Sequence, residues 1–387
     1  MTAMSDKVQP QDRHILFVTG TRADFGKLEP LAIAAADAGF PVTFFVTGMH
    51  MMKKYGHTKY EIYRQNRFQI VEYINQREGD PQDMVTAKTI TGFSDFLQEM
   101  RPDLVIIHGD RVEALACSLV CAMNYIMCAH IEGGEVSGTI DEVFRHCNTK
   151  LSTVHFVSSK VAAERVIRLG EDPRSVKVIG SPELDIHSKP SGVSLDAVFD
   201  WYEIASKDYG ICVFHPVTSE VHKTADQAKS LFTTLKQSGK YFVVIMPNND
   251  PGSKDIEDEI EKLPSDRFRV LPSMRFQYFS ELLKNAKIII GNSSAGVREA
   301  PYLGVPSLSL GTRQNNRALA ESVAKASCFD TEKIASFIEH EWGKKYPRDE
   351  SFGEGLASAK FAELILSPEF WDTPLQKYFA DGANGQS

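Results

Sequence analysis

No run of about 18 apolar residues, the length needed to cross a bilayer, interrupts this chain of 387 residues. Its amino terminus shows no charged-then-apolar leader, so a spanning helix and a signal peptide are both excluded and the cytosol is the expected location. Basic charge is also short. The formal net charge is −8, which excludes the broad basic face of a nucleic-acid binder. A small anion remains compatible, because a local pocket of arginines and backbone N–H groups is enough to hold one. The six cysteines (117, 121, 128, 147, 212 and 328) lie mostly in apolar helix or strand patterns, which suits reduced, buried thiols rather than a disulfide framework. Cys117 and Cys121 share a helix face but lack partner ligands, so neither a metal nor any other cofactor is expected. Neither GxGxxG nor a P-loop occurs, which removes the dinucleotide and triphosphate fingerprints, and no repeat at solenoid period is present.

What is present is a regular alternation. After a polar leader at 1–13, strand-length apolar runs recur at 14–19, 42–47, 69–73, 104–107, 126–131, 155–157 and 176–179. Helical patterns lie between most of them, at 27–38, 84–100, 112–124, 141–151 and 160–169. Such alternation implies crossover connections and a parallel sheet covered on both faces. The pattern breaks after Gly180-Ser181-Pro182, through Lys189-Pro190-Ser191-Gly192, and then resumes. Strands are expected at 210–214, 241–246, 268–271, 287–290 and 307–310, with helices near 224–238, 253–262, 275–285, 295–303, 331–342 and 354–366. The expected fold is α/β, with two doubly wound Rossmann-like domains facing a cleft. The first spans 1–187 and the second 188–366, with 367–387 docking back on the first.

Candidate chemistry concentrates at 108–150, where strands or loops hand over to helices, the place where open α/β sheets keep ligands. Asp110 follows one strand and precedes a helix, with Glu113 three residues on, so the two also read as a capping pair. Thr139 and Glu142 form a capping box that does not need Asp141, although an acid near a helix N-terminus is mildly favourable in itself. Glu132 ends an apolar strand, where a carboxylate is costly without partners and suited to acid or base work through a raised pKa. His130-Ile131-Glu132 matches the His-x-Glu of zinc deaminases, but no Pro-Cys-x-x-Cys follows, which excludes that chemistry. Gly133-Gly134 permits close backbone approach to a ligand or simply a turn. Arg22, in the loop after the first strand, is a candidate phosphate grip or a surface arginine. Gly291-Asn292-Ser293-Ser294-Ala295-Gly296 offers N–H groups and hydroxyls to an anion, or a cap. Glu299, inside the following helix, is a candidate ribose-diol ligand or a solvated glutamate, and His215 and Asn248 end strands on the same sheet edge.

Together these segments resemble the UDP-N-acetylglucosamine 2-epimerase family, in particular its hydrolysing branch, which feeds sialic-acid-type sugar synthesis. The residues that carry the resemblance are Thr19-Gly20-Thr21-Arg22-Ala23-Asp24, His108-Gly109-Asp110-Arg111, the run from His130 to Glu142, Gly180-Ser181-Pro182, His215-Pro216-Val217-Thr218 and Gly291-Asn292-Ser293-Ser294. It extends from about 14 to 366. Non-hydrolysing bacterial members carry His-Val-Glu-Ala-Gly and His-Arg-Arg-Glu-Asn where His130 to Gly134 and His215 to Ser219 stand here, which points away from re-addition of UDP.

The resemblance implies a glycosyltransferase-B-type fold with UDP held mainly by the second domain. Ser293 and Ser294 match the diphosphate pair, Glu299 the ribose ligand, and Arg22, Arg111, His215, Asn248 and Arg313 further nucleotide or phosphate contacts. Asp110, Glu132 and Asp141 match the catalytic acids. The implied reaction eliminates UDP to a glycal and hydrates it with inversion at C2, releasing UDP and N-acetylmannosamine, with domain closure in the cycle. A UDP-sugar is the expected partner, and a homodimer or homotetramer the expected assembly. Alternatives are the same chemistry on a UDP-2,4-diacetamido-2,4,6-trideoxyglucose leading toward legionaminic acid, a UDP-dependent glycosyltransferase, or a non-catalytic UDP-sugar sensor.

Overall fold

The structure, a computed structural model, describes residues 8–137, 140–190, 192–247, 250–315, 317 and 320–380. Over these residues the chain divides into two compact units: Met1–Glu135 with Asp141–Asp185 and Gly353–Ser387, and Val136–Ile140 with Ile186–Phe352.

The first unit is built on seven parallel strands: β1 Ile15–Thr19, β2 Val42–Val46, β3 Gln69–Glu72, β4 Leu104–His108, β5 Met127–Ile131, β6 Val154–Val157 and β7 Val176–Val178. Their order is β3-β2-β1-β4-β5-β6-β7. Strand periodicity of two sends Ile15 and Phe17 to one face and Leu16 and Val18 to the other. Both faces are covered, which is why the central strands are apolar throughout rather than alternating. On the first face Phe17, Phe44 and Phe156 pack with Leu28 and Leu31 of the helix Arg22–Asp37 and with Phe361 of the helix Ala357–Leu366. On the second, Phe45, Val105 and Ile107 meet Phe93 of Gln82–Glu99 and Cys117 and Cys121 of Val112–Met123. All six cysteines are free thiols, and only Cys147 is partly exposed.

The second unit has six parallel strands: β8 Tyr209–Val213, β9 Tyr241–Ile245, β10 Phe268–Leu271, β11 Ile289–Gly291, β12 Ser307–Leu310 and β13 Val323–Ala326. Their order is β10-β9-β8-β11-β12-β13. β13 is absent from the expected strands because an edge strand reading Val-Ala-Lys-Ala, half exposed, carries neither an apolar run nor alternation. In each sheet the direction of winding reverses once, between β1 and β4 and between β8 and β11. The loops leaving those paired strands therefore lie side by side, the arrangement in which α/β sheets take ligands.

Three local expectations are corrected. The first helix starts at Arg22 rather than Lys27, because Thr21 Oγ1 accepts the Asp24 N–H at 3.2 Å and caps it, so Arg22 is a first-turn residue and not a loop residue. The helix expected over 295–303 is instead a 3-10 turn, Ser294–Gly296, and a short helix, Glu299–Tyr302, separated at Arg298 (φ −119°, ψ −58°). Glu299 thus opens a helix instead of lying within one. The helix expected over 354–366 as part of the second domain is Ala357–Leu366 and belongs to the first unit.

That returning helix is fastened by a distant carboxylate. Asp185, 2% exposed, accepts the N–H groups of Ala357 at 2.8 Å and Ser358 at 2.7 Å, two donors that a helix N-terminus cannot satisfy by itself. Beyond it, Lys377 pairs with buried Glu171 at 2.6 Å and donates to the carbonyls of Thr149, Lys150 and Ser152 at the end of the helix Asp141–Leu151. Asp185→Ala is expected to destabilise the protein by about 2 kcal/mol or more, since both N–H groups lose a charged acceptor. Urea unfolding checks this, and an unchanged midpoint would show that the helix is held by its apolar face alone.

Candidate functional site

At the reversal point of the first sheet, Gly20-Thr21 links β1 to the helix that opens on Arg22 and Gly109-Asp110-Arg111 follows β4, with Glu132 beyond β5. Register sets His108 beside Ile131. Glu132 adopts φ +71°, in the left-handed region that is costly for a residue with a side chain. Its carboxylate is buried, 5% exposed, and Oε1 takes two cationic groups. Lys27 Nζ lies 2.7 Å away and His108 Nε2 3.4 Å away. Lys27 also lies 3.8 Å from buried Glu183, and His108 Nδ1 is 3.4 Å from Asp24 Oδ1. The result is an alternating array, Glu183, Lys27, Glu132, His108 and Asp24. Burial by itself would depress the His108 pKa, but the Glu132 charge and the Asp24 hydrogen bond outweigh it and raise the value to about 8. Asp24 is held below the usual carboxylate range: burial acts to raise it, and His108 and Arg111 more than reverse that.

The chain beyond Glu132 is fixed by shape. Gly134 has φ +74°, and a Cβ there would stand 2.1 Å from the Ala162 carbonyl oxygen, so only glycine fits. Glu135, also buried, accepts from Ser158 Oγ.

Asp110 was open to a capping reading with Glu113, and neither makes that contact. The helix Val112–Met123 is preceded by Arg111 with no side-chain cap. The Asp110 carboxylate instead receives Nη2 of Arg145, a guanidinium 1% exposed, while Glu113 turns to Arg111 Nε at 3.2 Å. Arg145 lies on the helix Asp141–Leu151, whose first residue is Asp141. The same helix sends Asn148 Nδ2 to the Gly109 carbonyl at 3.0 Å, and the Thr149 hydroxyl lies 3.2 Å from His130 Nδ1. The helix that begins with Asp141 therefore grips the loop carrying Asp110. Thr139, the other half of the expected capping box, lies outside the described residues, as does Asn248. Arg22 is engaged by Glu61 at 3.3 Å.

In the second unit the reversal point is stitched by one asparagine. Asn292 Oδ1 accepts from His215 N at 2.7 Å and Nδ2 donates to the His215 carbonyl at 2.7 Å, joining the loops after β8 and β11. Arg313 and Gln314 donate to the Asn292 carbonyl at 3.2 and 2.9 Å. Gly291 runs so close to β8 that a Cβ would stand 1.9 Å from the Val213 carbonyl oxygen. Ser293 accepts from Ala295 N at 3.4 Å, opening the 3-10 turn that contains Ser294. Glu299 is buried and its Oε2 lies 2.7 Å from His187 Nε2, with His187 Nδ1 2.7 Å from Ser280. The His215 pKa is lowered to about 3 by burial and the neighbouring Arg313 charge, so at neutral pH it is an uncharged hydrogen-bonding group rather than a cation.

Of the expected site residues, Asp110, Glu132, Arg22, Arg111 and Asp141 belong to the first unit and His215, Ser293, Ser294, Glu299 and Arg313 to the second. Lys27, His108, Asp24, Glu183, Arg145 and His187 were not singled out from the sequence. His108 and Asp24 stand inside quoted motifs, where neither carries an expected role.

A family model described as UDP-N-acetylglucosamine 2-epimerase matches residues 33–366. The chain is 43% identical over 374 residues to the UDP-N-acetylglucosamine 2-epimerase of Neisseria meningitidis serogroup B, covering 95% of this chain and 99% of that protein. It is 30% identical over 361 residues to the UDP-N,N'-diacetylbacillosamine 2-epimerase (hydrolyzing) of Legionella pneumophila, covering 91% and 95%. Among solved structures, Staphylococcus aureus MnaA with UDP matches at a TM-score of 0.77 and 19% identity, covering 96% of this chain and all of that one (100%). At that identity the likeness speaks for the fold, which is of glycosyltransferase-B type.

Buried histidines give the protein an acid limit. His130 and His215 have pKa values lowered to about 3 and His50 to about 4, burial being the largest cause for each. The unfolded chain binds these protons near 6.5 and the folded chain does not, so the stability they contribute is full above 6.5 and lost as pH falls toward 3 or 4. Between pH 6.5 and 5.5 each is expected to cost roughly 1 kcal/mol, partly opposed by Glu29, whose pKa is raised by burial to about 7. Urea midpoints across this window check the sign, and the decline should be shallower in His130→Asn.

Proposed function

The chain belongs to the UDP-N-acetylglucosamine 2-epimerase family, and from that membership we propose that it is a hydrolysing 2-epimerase, converting UDP-N-acetylglucosamine and water to UDP and N-acetylmannosamine. The observation that carries this reading is the buried Glu132 carboxylate set between Lys27 and His108 after β5. Chemistry at a carbon-bound proton needs a carboxylate of fixed position and protonation. A glycosyltransferase leaves that proton untouched and has no use for such an array. For the sugar, 43% identity to a protein named for UDP-N-acetylglucosamine outweighs 30% to one named for the diacetamido sugar. The hydrolysing outcome draws on the Legionella relative and on the Glu132-Gly133-Gly134 sequence.

In this scheme a carboxylate takes the C2 proton, the C2–H electron pair becomes the C1–C2 double bond, and the C1–O pair leaves with UDP. Water then bonds to C1 and a proton returns to C2 on the opposite face. Glu132 and Asp141 share the two C2 proton transfers. Asp110, its direction set by Arg145, assists the water. Ser293, Ser294, Arg313 and neutral His215 bind the diphosphate, Glu299 the ribose, and Arg22, Arg111 and Asn248 serve as further contacts to the nucleotide and phosphates, stabilising charge as it develops on the leaving group.

In deuterated water the released sugar should carry deuterium at C2 with no acceptor present, and activity should persist in a chelator. NMR of the products from UDP-N-acetylglucosamine and from the 2,4-diacetamido analogue decides the substrate. Protium retained at C2 would sink the epimerase reading. Asp110→Asn, Glu132→Gln and Asp141→Asn should each lower kcat by about 100-fold or more while keeping UDP affinity. Near-normal turnover in any one removes that residue from the scheme.

A further inference from the structure

Glu299 opens a helix of only four residues, Glu299–Tyr302, and Arg298 before it departs from helical geometry at φ −119° and ψ −58°. A single turn leaves a first-turn side chain its choice of rotamers unless a partner selects one. The partner comes from 112 positions away in the chain. His187, its side chain fully buried (0% exposed), places Nε2 2.7 Å from Oε2 of Glu299. An ionised carboxylate only accepts, so Nε2 carries the hydrogen. In the neutral ring Nδ1 is then an acceptor, and the Ser280 hydroxyl, 2.7 Å away, supplies its hydrogen.

Ser280 is itself firmly placed. It lies on the helix Phe276–Asn285, whose Leu282 and Leu283 are buried in the core of the second unit, and the Leu282 carbonyl accepts from the Tyr209 hydroxyl at 2.7 Å. The Phe276 ring packs against the imidazole, with 5.7 Å between centroids. Ser280, His187 and Glu299 all fall within Ile186–Phe352, so this chain of contacts is internal to the second unit. The bond from His187 uses one of roughly four acceptor positions on a carboxylate, which leaves capacity for two hydroxyl donors.

We propose, building on the reading of Glu299 as the ribose ligand, that His187 is a positioning residue of the nucleotide site: held by Ser280, it fixes the Glu299 carboxylate for the ribose diol and so selects a ribonucleotide over one that lacks the two hydroxyls. His187 does not touch the nucleotide. Its contribution is preorganisation, since a carboxylate already aimed has less freedom to lose when the sugar arrives. The selectivity follows from the carboxylate, which an analogue without hydroxyls would desolvate while giving it no donor.

Calorimetric titration of the whole protein with UDP and with 2',3'-dideoxy-UDP tests this. The wild type should prefer UDP by about 100-fold. His187→Phe keeps a ring and removes both nitrogens; UDP affinity should fall about 10-fold, with dideoxy-UDP affinity within about 2-fold of wild type. His187→Gln, whose amide can donate from the place of Nε2, should restore the preference to within about 3-fold of wild type. Equal weakening of both nucleotides in His187→Phe would show simple structural support and overturn the proposal, as would an unchanged preference. Should His187→Phe fail to fold, Ser280→Ala decides: the preference must drop by about 3-fold through UDP alone, and an unchanged preference refutes the proposal. Glu299→Ala is titrated alongside. A preference that survives in Glu299→Ala sinks the ribose reading itself, whereas one lost there but kept in His187→Phe sinks only the positioning role.

Discussion

A carboxylate taken out of water at the end of an apolar strand costs several kcal/mol unless charge and hydrogen bonds meet it there. Glu132 is in that position, and much of the first unit is arranged to meet it. The helix after β1 must start early enough to place Asp24 and Lys27 over the sheet edge, and Thr21 makes it do so. β4 must end on His108, in register with Ile131, so that the imidazole reaches across. Glu183 then balances the ammonium. None of these acids and bases is separable from the others, because removing one leaves a partner charged and buried.

The second unit solves a different problem with neutral groups. Its reversal point is closed by a reciprocal amide bridge between Asn292 and the His215 backbone, and the facing histidine is kept uncharged. The first unit concentrates charge where proton chemistry is proposed, and the second concentrates N–H and O–H donors where an anion is proposed. The same sheet topology serves both because winding reversal supplies adjacent loops, whatever side chains those loops carry.

The strands and most long helices were legible because periodicity is local, and the motif residues were legible because they cluster within a few positions of strand ends. What was not legible is pairing over distance. Lys27 and Glu132 are 105 positions apart, Asp110 and Arg145 are 35 apart, and Asp185 and Ala357 are 172 apart, so no window of sequence shows that one answers the other. The spacing of Asp110 and Glu113 suits a capping pair as well as a reactive carboxylate, yet an arginine engages each of them, Arg145 at Asp110 and Arg111 at Glu113. The split of 295–303 was hidden by composition that suits a single helix, and β13 by its position at an edge.

The fastening of Ala357–Leu366 by Asp185 bears on the order in which the protein can be made. Synthesis runs from the amino end, and the first unit's sheet is complete by Val178. Its core still lacks Phe361, Ile365 and Phe370, and its carboxyl-terminal anchor lacks Lys377. The second unit, from Ile186 to Phe352, needs only the short Val136–Ile140 segment, already synthesised, from outside that span. The half that emerges first from the ribosome is thus the half that finishes last, waiting with one sheet face partly uncovered until the final residues arrive.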